Sequence, residues 1–300
     1  FPWMTREKLK AMRDRGATHA AQLGGITQPT LAPHHVNQEV QRAFQLDPDL
    51  AIDSFLGRLA ARWAGPSGAR NLVLIWKLAD AGIRDLPPLP LYSGFGFVWL
   101  RSWVRPLVPD LLAIPKKERA YYESQIVGTF NNPNLTDLSR DVLFQLFDDA
   151  YARKLIQRVD ARVLPRIEGA LRLARAGRGE VFADLAPRLE GLACWIRNQR
   201  NVAAWALCVH GFLGAKSGSE KTHWKRALRE MQTGEIRNTK RLLALWEKSR
   251  VSWMAVARAK ESPFMYGPNF GDLLERKLRL MRRYGNVEPR IDPNLMWKLS

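Results

Sequence analysis

The sequence predicts a mainly α-helical protein: a multi-helix domain of long antiparallel helices, with one short strand in an αβ step near the N-terminus. Three observations lead there. Apolar residues recur at helical spacing through most of the 300 residues. The stretch from Leu185 to Gly214 is apolar nearly all round and reads as one long helix, over roughly 40 Å at about 1.5 Å per residue. Only one segment, Thr18 to Leu23, carries a convincing β signal.

That long helix is the centre of the expected helical layer. Leu189, Leu192, Ile196, Ala203, Leu207 and Val209 recur along it, Trp195, Trp205 and Phe212 add large rings, and Gly214 stands at its end. A helix apolar on every side has other helices packed on several sides. One polar belt interrupts it, Arg197-Asn198-Gln199-Arg200-Asn201. Bare guanidinium and amide groups are costly to bury, so the belt either faces a cleft or is satisfied from neighbouring helices.

The other elements follow in chain order. Thr5 to Arg15 reads as a short amphipathic helix stopped by Gly16, followed by the 18–23 strand and the Gly24-Gly25 loop. One αβ step cannot bury itself, so it must dock on helices or pair outside this chain. A proline-punctuated loop leads to a helix from Val36 to Gln45, with Asn37 as its expected N-cap. Asp47, Asp49 and Asp53 supply start chemistry for a helix with Phe55, Leu56, Leu59, Ala60 and Trp63 on one stripe. Gly65-Pro66-Ser67-Gly68 is a turn before a helix from Ala69 to Arg84. Residues 85–115 hold six prolines and the aromatics Tyr92, Phe95, Phe97, Trp99 and Trp103. A loop of that length in a compact domain is more often functional than idle. Pro115 opens a further helix, and Pro165 should kink or divide the helix running from Asp148 to Ala176. Lys221 to Ser249 is a long antiparallel return with a soft spot at Gly234, and Asp272 to Arg283 is the last strong helix.

Composition narrows the functional classes. Hydrophobic residues at 46% and charged ones at 25% are those of a globular chain. Cys194 and Cys208 lie about 20 Å apart along the long helix and cannot bridge within it. No cysteine or histidine spacing supports a zinc site, no GxxxxGK[ST] or GxGxxG cradles a phosphate, and no GxSxG elbow occurs, so no cofactor or metal is expected. No apolar run is long enough for a membrane span. The net charge of +18 raises nucleic acid as a partner, but the cations sit at polar positions of amphipathic helices, often beside acids. That pattern is a solvated face, and nucleic acid is not the expected partner. The opening Phe1-Pro2-Trp3-Met4 reads as the start of a piece cut from a longer polypeptide.

Three polar-aromatic groups are candidates for one cleft. Asn37 and Glu39 follow the αβ step, Tyr92 and Trp99 carry ring faces suited to sugar C–H faces, and Tyr266, Asn269 and Asp272 lie on a glycine-flanked loop. Each has a plainer alternative: helix capping at Asn37 and Asn269, and buried rings closing a junction. Acid/base work on a sugar bond needs two carboxylates about 5–10 Å apart, and Asp47 or Asp49 are the only neighbours Glu39 has in sequence.

These residues resemble a known arrangement. HAAQLGGITQPTLAPHHVNQEVQRAFQLDPDLAIDSFLGRLAARWAG is similar to the exit of a glycoside-hydrolase (β/α)8 barrel, and "FQLDPDL.ID.FL..LA.RW.G" resembles the entry into the C-terminal helical region of bacterial hexosaminidase-like and glucuronidase-like glycosidases. The later phrase "EIRNTKRLLALWEKS…ESPFMYGPNFGDLLERKLRLM" resembles the end of that region. The resemblance implies residues 1–46 as the terminal part of a barrel and 47–300 as the helical domain. It implies a carbohydrate substrate, an upstream barrel domain of the same polypeptide as partner, and catalytic acids upstream of Phe1. It also implies a cleft wall of Asn37, Glu39, Tyr92, Trp99, Arg197, Asn198, Arg200 and Asn201. The alternative is a basic all-helical module for nucleic acid or another polyanion.

Overall fold

A computed structural model describes residues 1–19, 33–87, 103–123, 149–256 and 266–290. The described residues are mainly helical. In chain order the helices are α1 (Pro2–Asp14), α2 (Val36–Leu46), α3 (Ile52–Asp85), α4 (Lys116–Glu123), α5 (Asp149–Arg158), α6 (Leu164–Ala176), α7 (Glu180–Gly214), α8 (Gly218–Lys248) and α9 (Phe270–Tyr284). Among the described residues there is no strand, only an isolated parallel bridge between Val256 and Tyr266. Of the strand expected over 18–23, Thr18 and His19 are irregular and the rest lies outside the described residues. No helix among the described residues is long and apolar enough to cross a membrane.

The chain divides into two compact units. The first comprises Phe1–Leu86, Asp160–Ala193 and Ser249–Ala255. Its core is the face of α3 carrying Leu56, Leu59, Leu72, Ile75 and Trp76, with Ile167, Ala170, Leu171 and Ala174 of α6. Gly82 allows the close approach of these two helices: a Cβ there would stand 2.9 Å from Ile167 Cδ1. The turn expected at residues 65–68 is instead a kink within α3. Gly65 takes φ +68° and Pro66 then occupies the first turn of the second half, where its missing N–H costs nothing. Arg84 of α3 donates to both oxygens of Glu7 at 2.7 and 2.9 Å and to Asp80 at 2.5 Å, tying α1 to α3.

The second unit comprises Pro87–Val159, Cys194–Lys248 and Val256–Ser300. Within it α8 returns antiparallel along α7: Asn238 reaches the Cys194 carbonyl, while Glu235 meets Asn198 and Asn201. Pro165 divides its helix as expected, and the division takes the form of a π-helical turn at Val159–Val163, with Pro165 in the first turn of α6. α7 starts earlier than the apolar pattern suggests, at Glu180 after Gly179 at φ +103°, and absorbs Pro187 in its second turn. Both cysteines are free and buried in it.

Candidate functional site

The unusual feature of the second unit is an irregular segment inside its core. Val104 to Pro109 forms no helix or strand, yet every residue of it is buried. Pro106 and Pro109 lack a backbone N–H, so no regular hydrogen-bond ladder can hold the segment. Buried carbonyls must nevertheless find donors. The donors are side chains on three different helices. Lys277 of α9 donates to the Trp103 carbonyl at 2.8 Å, Gln232 of α8 to Leu107 at 3.2 Å, and the Trp205 indole of α7 to Val108 at 2.8 Å. The backbone N–H of Arg290 closes the series on Pro109 at 3.2 Å.

This requirement explains why so many polar side chains point inward. On α8 the buried stripe is Leu228, Met231, Gln232, Glu235, Asn238, Thr239, Leu242 and Leu245, half of it polar. The Glu235 carboxylate is its centre. It accepts from Asn198 Nδ2 at 2.8 Å, Asn201 Nδ2 at 2.7 Å and Thr239 Oγ1 at 3.4 Å, and it pairs with the Lys277 ammonium. Each of these partners offers it a donor. Both members of the pair are 1% exposed. Burial pushes the Lys277 amine below the usual lysine range; Glu235 opposes that shift and the nearby Arg105 guanidinium adds to it. Arg105 is itself buried and stacks over the Trp205 ring at 4.6 Å. Trp103, Tyr266, Phe270 and Trp246 form the apolar wall next to this network, with Tyr266 and Phe270 centroids 4.6 Å apart.

The residues singled out in the sequence fall as follows. Asn198 and Asn201 lie inside the network with their amides on Glu235, and Gln199 donates to Asn198 at 3.3 Å. The Asn198 and Asn201 amides of the belt are thus satisfied from the neighbouring helix α8. Arg200 donates to Asn201 at 3.4 Å. Arg197 is half-buried, and burial together with the facing Arg241 lowers its guanidinium to about 10. Asn37 and Glu39 belong to the first unit. The N-cap of α2 is His35, whose Nδ1 accepts from the Gln38 N–H at 3.3 Å, not Asn37, which instead accepts from the Phe1 amino group. Glu39 faces Arg62 at 3.2 Å, Asp49 is held by Arg13 at 2.7 Å, and Asp47 accepts from the Asp49 N–H at 3.1 Å. Tyr92 and Trp99 lie outside the described residues. Asn269 occupies the N-cap of α9 but makes no side-chain cap bond.

Sequence reasoning missed Glu235, Lys277 and Gln232. A signal is present, because Lys277 falls at the core spacing set by Phe270, Leu273, Leu274, Leu278 and Met281. Among the described residues no group of three or more His, Cys, Asp or Glu could hold a metal ion. Comparison with family models, curated proteins and solved structures gives no match.

Proposed function

We propose that this chain is the helical C-terminal portion of a carbohydrate-active glycoside hydrolase, packing against an upstream barrel and completing its sugar cleft. On this reading the catalytic acids come from the barrel. Two facts support it. The phrase 235–281 that resembles such enzymes contains Glu235, Asn238, Thr239 and Lys277, so the likeness falls on residues that build a core. Several acids among the described residues are held by cations or amides: Glu235 by amides and Lys277, Asp80 by Arg84, Asp184 by Arg188, and Glu118 by Arg276 and Arg279.

The single observation that carries the proposal is the clamp on Trp103. The aromatic-rich segment with Tyr92 and Trp99 runs directly into a backbone carbonyl held by a fully buried ammonium. Such a clamp fixes the chain at Trp103, where the aromatic-rich stretch of the sequence ends. Asn198 and Asn201 then act as positioning residues through Glu235.

The test is to read the coding sequence before Phe1, express the whole frame and this chain separately, and assay both on aryl hexosaminides and glucuronides. The whole protein should release the aryl group while this chain, folded by circular dichroism, does not. Turnover by this chain alone, or none by the whole protein, overturns the proposal.

A further inference from the structure

Cations elsewhere in the chain are commonly tied to acids, as in Lys10 with Asp14, Arg13 with Asp49, Arg175 with Glu190 and Lys225 with Glu288. One face of α8 departs from that pattern. Arg226, Arg229, Arg237 and Lys240 are all exposed, and none has an acidic partner among the described residues. At about 100° per residue they lie within about 80° of one another around the helix axis, spread over about 21 Å of its length. Arg226 with Arg229, and Arg237 with Lys240, are like-charge pairs three residues apart, a spacing that destabilises a helix. A single acid, Glu230, lies on the same face. Arg241, half-buried beside Arg197, extends the positive potential inward.

We propose that this face binds an acidic polysaccharide, a polymer of uronate- or sulfate-bearing sugars, along its length. Charge complementarity selects a linear polyanion. The guanidinium fork matches carboxylate and sulfate oxygens in two-point contacts, and three of the four cations are arginines. The face carries no aromatic ring between Arg226 and Lys240 on which a nucleobase would stack. The choice of a sugar polymer rests on the carbohydrate reading above. It makes the helical portion a holder of an acidic substrate chain as well as a scaffold.

The test measures binding of heparin and of polygalacturonate to the whole chain by titration calorimetry at about 50 and about 200 mM salt. The variant Arg226→Gln/Arg229→Gln/Arg237→Gln/Lys240→Gln is compared with Arg58→Gln/Arg70→Gln/Arg172→Gln/Arg178→Gln, which removes the same formal charge from other exposed positions. Thermal melts matching the parent establish that both variants are folded. The parent should bind both polymers, more weakly at the higher salt. The α8 variant should lose at least about tenfold in affinity and show a shallower salt slope, while the other variant keeps both. Equal loss in the two variants, no binding by the parent, or tighter binding to duplex DNA than to either sugar polymer overturns the inference. Hydrolysis does not enter the readout: binding that survives while the longer protein shows no glycosidase activity removes the enzyme reading and leaves the α8 face standing.

Discussion

The Glu235 carboxylate and the Lys277 ammonium, 42 residues apart in the chain, meet inside the second unit with 1% of either side chain exposed. The pair is the hub through which α7, α8 and α9 share one set of hydrogen bonds. An isolated buried ion pair often does no better than two apolar residues of the same size. Here the amides of Asn198 and Asn201 solvate the carboxylate and the Trp103 carbonyl solvates the ammonium, so the groups are satisfied as a set.

Breaking the pair from one side should therefore cost more than removing both charges. Glu235→Gln and Lys277→Met should each destabilise by about 3–5 kcal/mol, because each leaves an uncompensated buried charge. Glu235→Gln/Lys277→Met should be less destabilised than the sum of the two. Urea midpoints of the four proteins measure this, and strict additivity would show that the charges do not couple. In Glu235→Gln the folded state holds the Lys277 proton still less well, while the unfolded chain keeps an ordinary lysine. The unfolded state then binds more protons, so the stability of that variant should rise as pH increases toward the normal lysine value.

Trp205→Phe should cost about 1–3 kcal/mol beyond its lost area, because the Val108 carbonyl stays buried without its indole donor. Amide exchange should identify the change as local to the segment around Val108. An unchanged urea midpoint would mean that the carbonyl finds another donor.

Two glycines in long helices should respond to alanine in opposite directions. Alanine is favoured over glycine in a helix by about 1 kcal/mol. At Gly234 a Cβ meets nothing within 4 Å, so Gly234→Ala should stabilise by nearly that amount. At Gly191 a Cβ would stand 2.6 Å from the six-membered ring of Trp253, which is buried, and overpacking of about 1–3 kcal/mol outweighs the propensity gain. Thermal melts give both signs, and Trp253 fluorescence should shift only in Gly191→Ala.

Burial pushes the Cys208 thiol from 9.0 up to about 11, with Arg200 and Arg153 pulling the other way and Glu230 adding to the rise. Between about 9 and about 11 the unfolded chain has given up this proton and the folded chain has not. The folded state binds more protons, so stability is complete below about pH 9 and is lost as pH climbs through that window, by roughly 3 kcal/mol. Cys208→Ala should lose less stability over the same range than the parent. Parallel pH profiles would show that the thiol does not contribute.

The helices were largely legible because their apolar stripes are local. Leu189 to Val209 on α7 and Leu273 to Met281 on α9 need no knowledge of a partner. Pro165 announced a break, since a ring that cannot donate leaves few options. The network was not legible as a network. Glu235 and Lys277 each sit at core spacing in their own helix, but which acid faces which base depends on pairing across 42 residues. The capping of α2 was misassigned for a related reason: His35 and Asn37 both carry suitable acceptors, and only the backbone at His35 leaves its ring nitrogen over the Gln38 N–H.

The stretch from Val104 to Pro109 depends on donors that arrive late in synthesis. Gln232, Lys277 and Arg290 follow it by more than a hundred residues. A nascent chain halted before α9 already has Trp205 and Gln232 for the Val108 and Leu107 carbonyls, but lacks the Lys277 and Arg290 donors to Trp103 and Pro109. The second unit therefore matures from its far end: translation must pass residue 290 before a piece made nearly two hundred residues earlier can settle.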